Sequence, residues 1–171
     1  TSSTGKYTNS STYVYASDSM SGVDAIYMKT PGSSSYGNMG TSTTVSSSGT
    51  NGLYSFYAKD KAGNISRTYF LYLDTVKPTG TIKNSNGAEI TGSYTNQAFS
   101  YSATDSGSGI SYLQYKKPGS SSWLTYTSGT SISASAASGT YQFRSVDKAG
   151  NISATKSITL DSSKPTMTLY S

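Results

Sequence analysis

The chain has no cysteine and no histidine among its 171 residues. Without cysteine it can form neither disulfides nor thiolates, and without histidine it lacks the usual general base and the commonest metal ligand. Charged residues make up only 12%, and the basic residues behind the net charge of +5 are scattered, with Lys116–Lys117 as the one adjacent pair. Nucleic-acid binding calls for a clustered basic stripe, so we expect no nucleic-acid partner. No apolar run is long enough to span a bilayer, so we expect no membrane insertion in what we interpret as an internal fragment.

The abundant residues are small, polar or aromatic. There are 16 Tyr beside 4 Phe and 1 Trp, and Ser, Thr and Gly dominate the rest. Tyr supplies apolar surface while keeping a hydroxyl for water or for a backbone partner. This mixture favours strands and tight turns over helices.

The sequence repeats itself. Residues 60–66 return letter for letter as residues 147–153, an offset of 147 − 60 = 87 residues. The same offset aligns Lys77-Pro78-Thr79 with Lys164-Pro165-Thr166 without a gap. A period of that length indicates an array of small domains.

Each copy contains about seven short alternating segments separated by turn signals, which predicts an all-β sandwich. We expect module 1 at 1–76, module 2 at 77–163, and a further strand at 164–171. The equivalent of Pro78 would precede residue 1, so module 1 should lack its opening strand, while the tail supplies one without a sheet. We expect this tail to cap its own domain or to pair with a neighbouring molecule's sheet edge.

Two segments carry a family resemblance. Gly52–Ala58 and Gly139–Phe143 resemble the Gly-x-Tyr-x-Cys-x-Ala strand of immunoglobulin domains, with Phe56 and Phe143 at the Cys position. The wider pattern, with Asp-Lys-Ala-Gly-Asn and Asp-x-x-Lys-Pro-Thr elements, is similar to tandem bacterial Ig-like repeats of surface adhesins and secreted carbohydrate-active enzymes. The resemblance implies two tandem immunoglobulin-like β-sandwich domains.

The resemblance also implies structural roles. Tyr54 and Tyr141 would be corner tyrosines, whose hydroxyls bond back to the upstream backbone. Phe56 and Phe143 would fill the space that a disulfide otherwise occupies. The turn chemistry itself assigns Gly63 and Gly150 to positions that need a positive φ.

Catalysis is not expected. The chain has eight carboxylate side chains, and six of its seven Asp fall into repeat-related pairs. A unique active site would not need each carboxylate twice, and Ser and Thr have no histidine to activate them.

The acidic residues allow two interpretations. In an Ig-like sandwich Asp74, Asp105 and Asp147, with Asn151, could meet at one end and supply oxygens for a calcium ion. The simpler alternative is that these side chains cap turns by bonding to nearby N–H groups. We expect no obligatory cofactor, with calcium possible.

Aromatic residues mark a second possible site. Trp123 and Tyr36 follow the same Pro-Gly-Ser-Ser-Ser turn, and Tyr126 lies nearby, so these rings could stack on sugars. Alternating aromatics are otherwise explained by core and cross-strand packing. An intramolecular Lys–Asn isopeptide bond, known from Gram-positive surface domains, is a further alternative, although the repeated Lys, Asn and Asp cluster lies in a turn.

We therefore expect a non-catalytic spacer or stalk, extracellular at a bacterial surface or secreted, with flanking domains of the same chain as its partners. The alternatives are an adhesin module that binds host glycan or protein, and an accessory carbohydrate-binding module. We expect a monomer, with possible strand exchange between copies, and limited hinge freedom at the link from Asp74 to Pro78.

Overall fold

The computed structural model describes residues 5–170, and these residues form strands and turns but no helix. They divide into two units. Unit 1 is the chain up to Lys77 together with two loops, 106–109 and 147–151, and unit 2 is the remainder. Among residues 5–170 there is no helix of the length and apolar character that a membrane crossing needs.

Unit 1 is a sandwich of a five-stranded and a two-stranded sheet, ordered β1-β7-β6-β3-β4 and β2-β5. Its strands are β1 (Lys6–Thr8), β2 (Thr12–Tyr15), β3 (Val23–Lys29), β4 (Gly37–Asn38), β5 (Ser42–Val45), β6 (Gly52–Asp60) and β7 (Tyr69–Leu73). β1 pairs parallel with β7, whereas the pairs β2–β5, β3–β4, β3–β6 and β6–β7 are antiparallel.

Unit 2 repeats this plan, also with seven strands: it has the additional strand β8, and an isolated bridge stands where unit 1 has β5. Its strands are β8 (Thr79–Asn84), β9 (Tyr94–Thr95), β10 (Phe99–Thr104), β11 (Ile110–Lys116), β12 (Leu124–Tyr126), β13 (Gly139–Asp147) and β14 (Lys156–Leu160). The sheets are ordered β12-β11-β13-β14-β9 and β10-β8, and a bridge from Phe99 to Ile132 extends the second. The predicted all-β fold of two tandem Ig-like β-sandwiches is confirmed.

Alternation along the strands builds both cores. In β10, Phe99 and Tyr101 are buried while Ser100 and Ser102 are only half-buried, as expected when successive side chains point to opposite faces. The buried core of unit 2 consists of Ile82, Phe99, Tyr101, Leu113, Tyr126, Tyr141, Phe143, Ile158 and Leu160. That of unit 1 consists of Ile26, Val45, Tyr54, Phe56, Leu71 and Leu73.

The predicted strand at the tail is not formed within the single chain, and its pairing with another module or molecule stays a prediction. Residues 161–170 form no strand and are exposed, so an extra edge strand at 164–171 is not present in the described part of the chain. Residues 1–4 and Ser171, which the predicted boundaries include, lie outside the described residues.

Candidate functional sites

The repeated Asp-Lys-Ala-Gly-Asn segment folds the same way in both copies. In the first copy the Asn64 backbone N donates to Asp60 Oδ1 at 2.8 Å, and Asn64 Nδ2 donates to Asp60 Oδ2 at 2.7 Å. The Asn64 side-chain hydrogen bond is the main reason that the pKa of Asp60 lies below its ordinary value of 3.8. Gly63 has a φ of +93°, which the turn requires. The exposed copy therefore shows that this turn is self-sufficient.

The second copy of the turn is buried. Asn151 donates its backbone N to Asp147 Oδ1 at 2.8 Å and its Nδ2 to Asp147 Oδ2 at 2.7 Å, with Gly150 at a φ of +95°. Asn151 Nδ2 also donates to the backbone oxygen of Asp74 at 2.8 Å. Asp147 is 2% exposed, so its carboxyl oxygens accept hydrogen bonds from these N–H donors instead of from water.

Asp74 is completely buried in unit 1, and the N–H groups of two loops bind its carboxylate. The Val76 N–H donates to Oδ1 at 3.0 Å, and the Ser108 N–H donates to Oδ2. The Ser108 hydroxyl in turn accepts a bond from the Ala149 N–H at 3.2 Å. Backbone donors of this kind satisfy the hydrogen-bonding capacity of a buried carboxyl group.

Two exposed aspartates repeat these roles. Asp161, equivalent to Asp74, accepts hydrogen bonds from the side chain and backbone of Ser163, which lower its pKa. Asp18, equivalent to Asp105, accepts the backbone N–H groups of Gly22 and Met20, which lower its pKa. Asp105 itself directly follows β10 in unit 2 and is half-buried.

The hydrogen bonds of Asp74, Asp147 and Asn151 bear on their predicted role as calcium ligands. One carboxylate oxygen of Asp74 lies within 4.8 Å of one of Asp147, so two hard oxygen donors are available. The Nδ2 atom of Asn151, not its Oδ1, points toward these carboxylates. Its two partners are the Asp74 backbone carbonyl and the Asp147 carboxylate, and both can only accept a hydrogen bond. Each carboxylate oxygen of Asp74 and Asp147 already accepts an N–H. These hydrogen bonds fit the turn-capping alternative, and Asn151 as placed directs its nitrogen, not its oxygen, at the carboxyl group of Asp147.

Sequence reasoning missed two residues of this cluster, Ser108 and Gly107. A Cβ added at Gly107 would lie 2.4 Å from the Asp74 carboxyl group, so only glycine fits there. The equivalent residue in the first copy is Met20, which is 94% exposed. This Met-to-Gly difference between otherwise similar loops was the available signal.

The predicted aromatic ligand residues occupy different environments. The ring centroid of Trp123 lies 4.2 Å from the Arg144 guanidinium and 4.8 Å from Lys116 Nζ. Arg144 is held by a bond from its Nε to Gln114 Oε1 at 2.9 Å. These cations engage the indole by cation–π attraction and would compete with a sugar.

Tyr36, the counterpart of Trp123, belongs to an aromatic cluster. It meets Tyr57 edge-on at 4.9 Å between ring centroids, and Tyr57 stacks on Tyr27 at 4.9 Å. Lys29 Nζ lies 5.5 Å from the Tyr36 ring centroid. All three rings are half-buried, so this cluster keeps some accessible aromatic surface.

Tyr126 lies in the core of unit 2, which corrects its assignment as a ligand residue. It is 5% exposed and its hydroxyl donates to the Thr130 carbonyl while accepting the Tyr101 N–H at 3.0 Å. Burial raises the pKa of its phenol. A ring that is packed in the core has no face left for a ligand.

The tyrosines assigned as corners make the bonds that such a role requires. Tyr54 donates to the Thr50 carbonyl at 2.9 Å, and Tyr141 donates to the Ala137 carbonyl at 3.0 Å. Phe56 and Phe143, two residues further along the same strands, are buried in the two cores. The fold and these contacts define a tandem Ig-like β-sandwich protein.

Comparison with known proteins adds little beyond the architecture. No protein-family model and no curated protein matches the chain. Among solved structures, the chain is similar to fibronectin(III)-like modules of CbhA from Clostridium thermocellum, with 14% identity over 91% of this chain and 87% of that chain and a TM-score of 0.41. A likeness this distant carries no conclusion about function.

Proposed function

We propose that this chain is a non-catalytic spacer that presents flanking domains of the same longer protein, outside the cell at a bacterial surface or in a secreted protein. One observation carries the proposal: five of the eight carboxylate side chains, the groups on which acid–base chemistry would depend, accept the N–H groups of turns instead. Asp18, Asp60 and Asp161 cap exposed turns, and Asp74 and Asp147 do the same in a buried cluster.

The composition supports the same proposal. Without histidine or cysteine, catalysis would depend on paired carboxylates or on a hydroxyl activated by another base. The repeat duplicates most of the aspartates. A spacer gains length from each added copy of a module, so duplication is expected of a spacer. The extracellular location rests on the resemblance to bacterial Ig-like repeats.

A glycan-binding role is the second candidate, favoured by the half-buried rings of Tyr27, Tyr36 and Tyr57. Aromatic faces of this kind can stack on sugar rings. Against it, Tyr57 lines a largely apolar groove of unit 1 whose lining residues do not include Tyr27 or Tyr36, so the three rings do not line one shared cleft that would fix a sugar's orientation.

A glycan and extracellular-protein array with the purified chain separates the candidates. A spacer gives no signal above a matched unrelated β-sandwich. An adhesin or carbohydrate-binding module gives a signal that Tyr36→Ala reduces and that the control Tyr13→Ala leaves unchanged. Such a signal would overturn the spacer proposal.

A further inference from the structure

Two cations and an amide lie side by side on the outer face of the larger sheet of unit 2. Phe143 and Ser145 of β13 are buried, so Arg144 between them lies on the opposite, outer face. Gln114 of β11 lies on the same face, because its Oε1 accepts the Arg144 Nε–H at 2.9 Å. Lys116 comes two residues after Gln114 in β11 and shares this face by the same alternation.

The only tryptophan of the chain contacts both cations. The Trp123 ring centroid lies 4.2 Å from the Arg144 guanidinium carbon and 4.8 Å from Lys116 Nζ. Within residues 5–170 neither cation forms a salt bridge, and Nε–H is the one N–H of the Arg144 side chain that has an acceptor. The other guanidinium N–H donors are therefore available to a ligand.

The carboxylates of unit 2 lie elsewhere. Among the described residues, Glu89 lies between β8 and β9, Asp105 follows β10, and Asp161 follows β14. Asp147 ends β13, but its carboxyl oxygens accept the N–H groups of Asn151. Two cations without a carboxylate partner attract an oxyanion, and a guanidinium can bind one through two parallel N–H···O bonds.

The first copy shows that the sheet does not need the guanidinium. Tyr27 and Tyr57 stand in the places of Gln114 and Arg144, and their rings stack at 4.9 Å between centroids. The neighbouring contact between a lysine and an aromatic ring is present in both copies. The same two strands are thus joined by two phenol rings in unit 1 and by a hydrogen-bonded cation in unit 2, so packing alone does not explain the cation.

We propose that this outer face of unit 2 binds a carboxylated sugar of an acidic polysaccharide. The sugar carboxylate accepts the free N–H donors of Arg144, and Lys116 adds a second positive charge. The half-buried ring of Trp123 offers aromatic surface to the C–H groups of the sugar. A neutral sugar would have to displace the cations from the indole, whereas an acidic sugar binds to the cations themselves.

The position in the sheet favours a sugar over an acidic peptide. β11 and β13 are inner strands, because the sheet is ordered β12-β11-β13-β14-β9. Their backbone groups are paired with neighbouring strands, so a peptide cannot be bound here by strand addition. Recognition has to use side chains, and the amides of Gln114 and Gln142 on this face can bond to sugar hydroxyls. Two cations are also too few for the basic stripe that a nucleic acid needs.

This site goes beyond the spacer role and is separate from the aromatic rings of unit 1. One contact of this kind on an open face gives weak binding, with a dissociation constant of about 1 mM. Such a complex dissociates during the washing of an array and has to be measured in solution. Its failure would leave the spacer proposal unchanged.

The single tryptophan reports on the site directly, because its indole N–H gives one nuclear magnetic resonance signal. Tetragalacturonate added to the purified chain at low ionic strength should shift this signal with a dissociation constant of about 1 mM. The same oligomer with its carboxylates reduced to alcohols should not shift it. Tetraglutamate with blocked ends has as many carboxylates and should bind at least about fivefold more weakly, because it has no ring to place on the indole.

Three results of this titration would overturn the proposal. The first is an indole signal that does not move up to about 10 mM tetragalacturonate. The second is equal affinity for the reduced oligomer, and the third is equal affinity for tetraglutamate, which would show that the face recognises charge without recognising a sugar.

Variants locate the contact. R144Q should weaken binding of tetragalacturonate by about tenfold, because it removes the bidentate donors. R67Q is the matched control, since Arg67 also lies over an aromatic ring, 4.8 Å from the Tyr69 centroid, and this change should leave the affinity unaltered. The double variant Q114Y and R144Y carries the residue pair of the first copy and should lose binding while keeping a packed sheet, which provides the test if R144Q unfolds. Equal losses in R67Q and R144Q, or unaltered binding by the double variant, would contradict the proposal.

Discussion

At the residue scale, the hydrogen bonds within one short turn account for the repeated acidic residues. The Asp60–Asn64 turn is exposed and the Asp147–Asn151 turn is buried, yet their internal distances are the same. The turn therefore forms without the buried surroundings. What burial changes is the consequence of losing one of its donors, because water cannot replace it.

Asn151→Ala should destabilise unit 1 far more than Asn64→Ala. The first change leaves the Asp147 carboxylate and the Asp74 carbonyl buried without their side-chain donor, which costs about 1–3 kcal/mol. The second leaves an exposed carboxylate that water can solvate. Differential scanning calorimetry of both variants measures the comparison, and equal shifts in melting temperature would contradict it.

Calcium should not be required by this cluster. Because the oxygens of Asp74 and Asp147 already accept N–H groups, we expect the same melting temperature in excess chelator and in millimolar calcium. An increase with calcium that chelator reverses, and that Asp147→Asn removes, would instead assign these carboxylates as calcium ligands.

At the scale of elements, equivalent segments differ where their surroundings differ. The loop after β10 passes against the Asp74 carboxyl group and needs Gly107, whereas the loop after β2 is exposed and carries Met20. The corner tyrosines of β6 and β13 show the opposite case, since both make the same bond in both copies.

Gly107→Ala should cost about 1–3 kcal/mol, because its Cβ would force the Asp74 carboxyl group away from its N–H donors. The matched change Met20→Ala should have an effect within about 0.5 kcal/mol because the side chain is exposed. Urea unfolding of the two variants tests this, and a neutral Gly107→Ala would show that the loop can move aside.

At the scale of the whole molecule, the absence of histidine determines the pH response. The pKa values of Asp18, Asp60 and Asp161 are lowered in the folded state, by hydrogen bonds to Gly22, Asn64 and Ser163 respectively. Their contribution to stability is present above the ordinary value of 3.8 and is lost as the pH falls through the lowered values.

We therefore expect a melting temperature that is nearly constant from about pH 5 to pH 8 and that falls below about pH 4. Asn64→Ala should flatten the acid limb, since it removes the main cause of the lowered pKa of Asp60. A melting temperature that changes through the histidine range near neutral pH would contradict this expectation.

The sequence by itself predicted the repeat, the alternating strands and the turn glycines. The repeat follows from comparing the two halves, and the strands and turns depend on local chemistry. Period-two patterns such as Phe99-Ser-Tyr101 determined the strands, and the Asp-Lys-Ala-Gly-Asn segments determined two identical turns. The tertiary structure alone decided which copy of each turn is buried, because burial depends on neighbours distant in sequence. It placed Tyr126 in the core and brought Ser108 to Asp74, since these are long-range contacts that no local pattern specifies.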